Sequence, residues 1–143
     1  SSFFEVNYMD VLISIKPKYV KSIVFGEKKV EYRKRLFKHL PCRIYIYASS
    51  PVKRIIGYFE YAGYYSGVPD EVWKISCEYA GVDYDMFSNY FANAELAYAL
   101  KIDKLVIFSK PVSPESIFDE FKAPQSFFYV REGIEREKLR SLV

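Results

Sequence analysis

The chain has 143 residues and a mass of 16.8 kDa, enough for one domain with a real core and too short for two ordinary ones. Half of the residues are hydrophobic and 27% are charged, which excludes a disordered tail, and no stretch approaches the ~20 apolar residues of a membrane span or the core of a signal peptide. The formal net charge of +3 is unevenly held: Lys and Arg against Asp and Glu number 12 to 4 in residues 1–54, 2 to 8 in residues 55–103 and 7 to 6 in residues 104–143, so the first third can attract polyanions that the rest repels.

Met9 is a natural start, so residues 1–8 are read as an N-terminal extension and residues 9–143 as a single domain. Val11 to Ile15 is a short apolar strand. Pro17 opens a helix in which Tyr19, Val20, Ile23 and Val24 make one apolar stripe, and Gly26 supplies a left-handed stop. From Lys28 to Arg35 the residues alternate as a strand, with Lys29, Glu31, Arg33 and Arg35 on one charged face. Ile44 to Ala48 is a third strand, and Lys53 to Tyr65 a long one in which Gly57 marks a bulge or bend.

Pro69, Asp70 and Glu71 start a helix that ends before Gly81, and Asp83 caps another through Phe91. Leu96 to Ile102 and Leu105 to Phe108 are strands around an Asp103–Lys104 turn. A short helix is expected over Glu115 to Phe121, an extended stretch over Ala123 to Val130 and a terminal helix over Glu132 to Leu139. These elements predict an α+β fold: a mixed sheet, curled toward a barrel, with a helix after the first strand and a helical insertion around residues 69–91.

Aromatic residues, 14 Tyr, 12 Phe and 1 Trp, exceed what a core of this size needs, so some are expected to face a groove. Cys42 and Cys77 are far apart and His39 is the only histidine; neither a metal site nor a disulfide framework is expected, and a reducing cytoplasm is the expected location. No cofactor is implied.

The informative segment is Phe25-Gly26-Glu27-Lys28-Lys29-Val30-Glu31-Tyr32-Arg33. Arg offers a planar fork for phosphate or a base edge, Lys a compact cation, and Glu an acceptor for a base amino group. The same residues also suit an exposed strand laced by salt bridges.

The spacing Gly26-x-Lys28-x-x-Glu31-x-Arg33 resembles the signature of ASCH domains, relatives of the PUA-like β-barrels. Ser14-Ile15-Lys16-Pro17, Tyr47-Ala48-Ser49-Ser50-Pro51-Val52-Lys53 and Ala123-Pro124-Gln125-Ser126-Phe127 are similar to a prokaryotic branch described as predicted transcriptional regulators. The resemblance implies a PUA-like barrel with a cleft beside its first helix and a role in RNA binding or RNA-linked regulation. It places Gly26, Lys28, Glu31 and Arg33 at that cleft, with Lys16, Tyr47, Ser49, Ser50, Lys53, Gln125 and Ser126 added from the other matching segments. Some small ASCH proteins are amidohydrolases on acetylated cytidine and others have been assigned ribonuclease activity. Lys28 matches the amidohydrolase lysine, but Glu31 stands where that group has a threonine, and the insertion is larger.

Three readings remain open. One is a module that binds single-stranded RNA or a nucleotide, with Tyr32, Tyr45 or Tyr47 stacking a base. Another is a small hydrolase in which Lys28 assists attack and Glu31 accepts a proton. The third is a Glu31–Arg33 pair that only stabilises the fold, with a protein partner on the aromatic surface.

Overall fold

The computed structural model describes residues 9–143, and the expected extension at residues 1–8 lies outside them. In chain order the elements are β1 (Met9–Ile15), α1 (Pro17–Val24), β2 (Val30–Arg33), β3 (Pro41–Ala48), β4 (Arg54–Gly67), α2 (Pro69–Ser76), α3 (Tyr84–Tyr90), β5 (Ala97–Val112), β6 (Phe127–Val130) and α4 (Ile134–Arg140), with 3₁₀ turns at Cys77–Tyr79 and Pro114–Ser116. Six strands form one curled mixed sheet in the order β2-β5-β4-β3-β1-β6. Among the described strands only β1 and β3 run parallel.

Strand alternation sorts the core into two layers. Val11, Ile13 and Ile15 of β1 and Ile44, Ile46 and Ala48 of β3 point to one face, where Val20 and Ile23 of α1 cover them. Leu12, Tyr45 and Tyr47 point to the other, against Ile117, Phe118 and Leu139. The insertion makes a third cluster in which Val72, Phe87 and Phe91 bury Val30, Tyr32, Ala97 and Ala99. The hydroxyls of Tyr32 and Ser76 lie 2.7 Å apart, and Ser76 donates to the Val72 carbonyl at 2.6 Å, which fastens α2 to β2.

Two irregularities produce the curl. At Gly57 the pairing with β3 gains a residue, and a β-carbon there would stand 2.1 Å from the Val106 carbonyl oxygen, so only glycine lets β5 approach. Lys104 takes φ 49° and the β4–β5 register shifts beside it. The expected Asp103–Lys104 turn is therefore a bulge inside one continuous strand. The expected strand from Lys28 to Arg35 also shortens to Val30–Arg33, because Lys28 and Lys29 belong to the loop that leaves α1. The expected helix over Glu115 to Phe121 is only the 3₁₀ turn.

Among the described strands β2 and β6 are the two edges of the sheet, and side chains span the gap between them. Arg33 of β2 donates to the Ser14 carbonyl at 2.7 Å and to the Ser126 hydroxyl at 3.3 Å. The Tyr129 hydroxyl of β6 accepts from the backbone N–H groups of Lys38 and His39 at 2.8 and 3.1 Å.

Candidate functional site

A cavity of about 430 Å³ opens beside this seam, between α1, β2, α3 and the loop at Pro124 and Gln125. Its size suits a small ligand or one unit of a larger one. Lys28, Glu31 and Arg33 form its polar wall, with Lys16, Ser14, Ser49 and Gln125 around it; Tyr19 on α1 and Met86, Phe87, Tyr90 and Phe91 on α3 form the apolar one.

Lys28 enters by a route that strand alternation does not give. The N–H groups of Glu27 and Lys28 both donate to the Ser22 carbonyl, folding the chain tightly after Gly26, and Lys29 N–H donates to the Tyr79 carbonyl. Lys28 is left only 2% exposed. Its amine donates to the Ala80 carbonyl at 3.0 Å, stands 3.6 Å from Glu31 Oε1, and lies 5.3 and 5.0 Å from the ring centres of Tyr19 and Tyr32. Burial pulls the Lys28 pKa below the ordinary lysine value, outweighing the Glu31 carboxylate, which acts the other way. Burial likewise pushes the Tyr32 phenol up to about 12.

Glu31, 6% exposed, is held by a fork. Arg33 donates to Glu31 Oε2 through Nε at 3.2 Å and Nη2 at 2.9 Å. With the bonds to Ser14 and Ser126, Arg33 commits four of its five N–H donors inside the protein. Arg33 therefore positions Glu31 and closes the seam, rather than presenting its fork to a ligand. Glu31 Oε1 keeps acceptor capacity toward the cavity, 3.6 Å being an ion-pair contact rather than a good hydrogen bond.

The structure brings together Lys16, Lys28, Glu31, Arg33, Ser49 and Gln125 on the cavity wall, and joins Ser126 to them through Arg33. It does not bring Gly26, Tyr47, Ser50 or Lys53 there. Gly26 takes φ 80° on the outside of the turn with open space around it, so its part is to reverse the chain. Tyr47 is buried on the opposite sheet face, with its ring 5.2 Å from that of Phe121. Tyr45 is fully buried in the same layer, which corrects the expectation that either ring stacks a base. Ser50 and Lys53 sit exposed on the turn after β3. Exposed His39 packs its ring on Tyr129, and both cysteines are unpaired. Among the described residues no three His, Cys, Asp or Glu side chains converge as a metal cluster, and no helix is long and apolar enough to cross a membrane.

Sequence reasoning missed the contribution of the insertion. Ala80 supplies the carbonyl that anchors Lys28, and Gly81 lies flat against the Lys28 stem. Gly81 was legible only as a helix stop, Tyr19 only as a member of an apolar helical stripe, and Tyr90 only as a position inside the helix expected from Asp83 to Phe91.

The ASCH domain profile matches residues 13–106, the segment that carries β1 through the cavity-forming insertion to β5. The chain belongs to the ASCH domain family. It is 32% identical over 140 residues, 93% of this chain and 91% of the other, to a protein of Zymomonas mobilis named ASCH domain-containing ribonuclease. Crystal structures of ASCH from Zymomonas mobilis share the fold. The unsubstituted protein matches with TM-score 0.83 and 28% identity over 94% of this chain and 96% of that one. A single-substitution variant matches with TM-score 0.84 and 29% identity, over 94% and 99%. The six-stranded curled sheet with four helices is thus the PUA-like ASCH architecture. The transcriptional role expected from the sequence finds no support in these relatives, one of which is named a ribonuclease.

Proposed function

We propose that this ASCH protein cleaves single-stranded RNA, taking one nucleotide of the strand into the cavity beside α1. The observation that carries the reading is the buried Lys28–Glu31 pair, braced by the part-buried Arg33 and facing aromatic walls in a site with room for one nucleotide. A single strand can splay one base into such a site, whereas a duplex presents its bases stacked and paired. The ribonuclease name of the Zymomonas mobilis relative, similar along nearly the whole chain, supports cleavage over binding alone.

On this reading Tyr19 and Tyr90 flank the base and Glu31 Oε1 accepts from its edge or from the ribose. Lys28, which burial biases toward the neutral amine, takes the proton of the 2′-hydroxyl. The 2′-oxygen attacks the adjacent phosphorus, the bond from phosphorus to the 5′-oxygen breaks, and the departing oxygen is protonated by water or by the Lys16 ammonium at the rim. The products are a 2′,3′-cyclic phosphate and a 5′-hydroxyl. Glu31 steadies the Lys28 ammonium that forms, and Arg33 keeps Glu31 in place.

The test is cleavage of end-labelled single-stranded RNA beside duplex RNA and single-stranded DNA of the same sequence, with chelator and with added divalent metals. Cleavage confined to single-stranded RNA, with cyclic phosphate ends and a loss of about 10²-fold or more in Lys28→Met while binding is retained, is expected. Wild-type protein that binds RNA without cutting it would restore the binding-module reading. Turnover of acetylated cytidine with intact RNA would favour the amidohydrolase.

A further inference from the structure

The basic third of the chain has more cations than the cavity uses. Of its acidic residues in the described structure, Asp10 is buried against Arg140 and Glu31 is held by Arg33, leaving only Glu27 exposed. The exposed cations are not equivalent. Lys53 and Arg54 lie near enough to Glu115 to help hold its carboxyl below the ordinary value, after the Ser113 hydrogen bond, and Arg54 donates to the Lys53 carbonyl. Lys21 sits over Phe25, near Glu27 in sequence, and Lys29 over Tyr79, which adjoins Glu78. The loop between β2 and β3 gathers three in five residues: Lys34, Arg35 and Lys38 are all exposed, and, as for the other exposed cations of this third, Lys16 and Lys18 included, no described carboxylate lies within 4 Å of any of them.

This loop is also held in place. Leu36 and Phe37 turn inward onto the core, with the Phe37 ring 4.9 Å from Phe127, and the Tyr129 hydroxyl accepts the N–H groups of Lys38 and His39. At its start it meets the cavity: Arg33 is on the cavity wall, and Lys34 Nζ lies 4.9 Å from the ring centre of Tyr90, a rim residue that is 43% exposed. The loop therefore leads from the cavity mouth across the seam to β6, offering three cations on an anchored backbone.

We infer that Lys34, Arg35 and Lys38 bind the phosphates of the RNA strand where it leaves the cavity, making a track beyond the nucleotide held inside. The inference rests on the reading that the cavity takes single-stranded RNA. A strand with one base inserted must pass the rim, and its next phosphates meet this loop first on the Tyr90 side. Cations without carboxylate partners exchange only water and counterions for phosphate, so the track adds salt-dependent affinity that does not depend on sequence.

The experiment compares wild type, the triple variant Lys34→Ala, Arg35→Ala, Lys38→Ala, and a control of equal charge loss, Lys74→Ala, Lys110→Ala, Lys138→Ala. Each is titrated with a mononucleotide and with a ten-nucleotide single-stranded RNA over a range of salt. The loop variant is expected to lose tenfold or more affinity for the long RNA at low salt, with its slope against log salt shallower by about 2, from roughly 0.7 per phosphate. The control should lose less than threefold, and the loss in the loop variant should shrink for the mononucleotide. A loop variant whose long-RNA affinity and salt slope equal the control's overturns the track. So does polyglutamate binding as tightly as RNA with the same loss in the loop variant. Cleavage separates the two claims: a wild type that does not cut RNA while the loop variant loses affinity fails the ribonuclease reading and keeps the track. Normal cleavage with an unchanged slope does the reverse.

Discussion

Gly81 lies against Lys28 so closely that a β-carbon on it would stand 2.5 Å from Lys28 Cβ and 3.0 Å from Cγ. Its φ of 65° is also one that side chains rarely adopt. Gly81→Ala must therefore push the lysine stem away from Ala80 and Glu31, at a cost of about 1–3 kcal/mol for overpacking beyond the backbone strain. Gly26→Ala is the matched control, since Gly26 has φ 80° but nothing within 4 Å. Denaturant titration and RNA cleavage should show Gly81→Ala losing stability and activity together, and Gly26→Ala losing only about 1 kcal/mol. Equal effects of the two variants would mean that the Lys28 contact is unimportant.

The lowered Lys28 pKa has a definite sign in stability. Between the folded value and 10.5 the unfolded chain binds more protons than the folded one, so stability rises with pH through that window. Tyr32 acts oppositely: held near 12, it contributes stability that is present below pH 10 and lost between about 10 and 12. The comparison therefore belongs below pH 10. Wild-type stability should gain on that of Lys28→Met as pH rises from 7 toward 10, and the cleavage rate should climb with a midpoint below 10.5. Parallel stability curves for the two proteins would show that burial does not perturb the lysine.

Local physics made most of the fold legible in the sequence. Pro17, Pro69 and Asp83 mark helix starts where the structure has them, and the Asp83 side chain accepts from Met86 N–H at 2.9 Å. Gly57 marked its bulge because close approach of another strand leaves no other residue type. Tertiary contacts decided the rest. Alternation through Lys28 to Arg35 put Lys28 and Glu31 on opposite faces, yet a tight loop after Gly26 turns Lys28 onto Glu31. The anchor for Lys28 is 52 residues away at Ala80, and no spacing within the motif points to it. Arg33 similarly closes the seam through Ser126, 93 residues on. Exposed and buried tyrosines look alike in sequence, which is why Tyr45 and Tyr47 were as plausible at the site as Tyr19 and Tyr90.

Asp10 and Arg140 make a clamp between the first strand and the last helix. Asp10 is fully buried, accepts from Arg140 Nε at 2.9 Å and Nη2 at 2.8 Å, and takes the Arg43 N–H at 3.2 Å. The carboxylate pushes the Arg140 guanidinium pKa further up. Arg140→Met keeps apolar bulk but leaves a buried charge with one backbone partner, and should cost about 2–4 kcal/mol, discounted from the fully buried case because Arg140 is part-exposed. The double variant Asp10→Asn, Arg140→Met should recover part of that loss. Equilibrium denaturation of the wild type and both variants measures it, and a single variant as stable as wild type would remove the clamp from the account of the fold.

The rings expected to hold the base are those of Tyr19 and Tyr90. Tyr19 and Tyr90 face the cavity from α1 and α3, close enough for the Tyr90 phenol to feel that of Tyr19, whereas Tyr45 is sealed beneath the sheet with its ring 5.4 Å from Tyr58. Stacking on an aromatic side chain contributes about 1–3 kcal/mol per base. Leucine retains much of the apolar bulk that Tyr19 places against the core but offers no π-face. Tyr19→Leu and Tyr90→Leu should therefore each weaken mononucleotide binding by about 1–3 kcal/mol with a modest change in stability, and Tyr45→Phe should leave binding within about 0.5 kcal/mol of wild type. Because stacking carries no charge, most of the loss at Tyr19 should persist at high salt, where contacts to phosphate fade. Both rings also touch a rim cation, Tyr90 through Lys34 and Tyr19 through Lys18, so each variant should lose a salt-independent part and a smaller salt-dependent part. Calorimetric titration of one mononucleotide at two salt concentrations decides the matter. Tyr19→Leu and Tyr90→Leu binding as wild type, or a loss confined to low salt, would mean that the cavity walls do not stack a base.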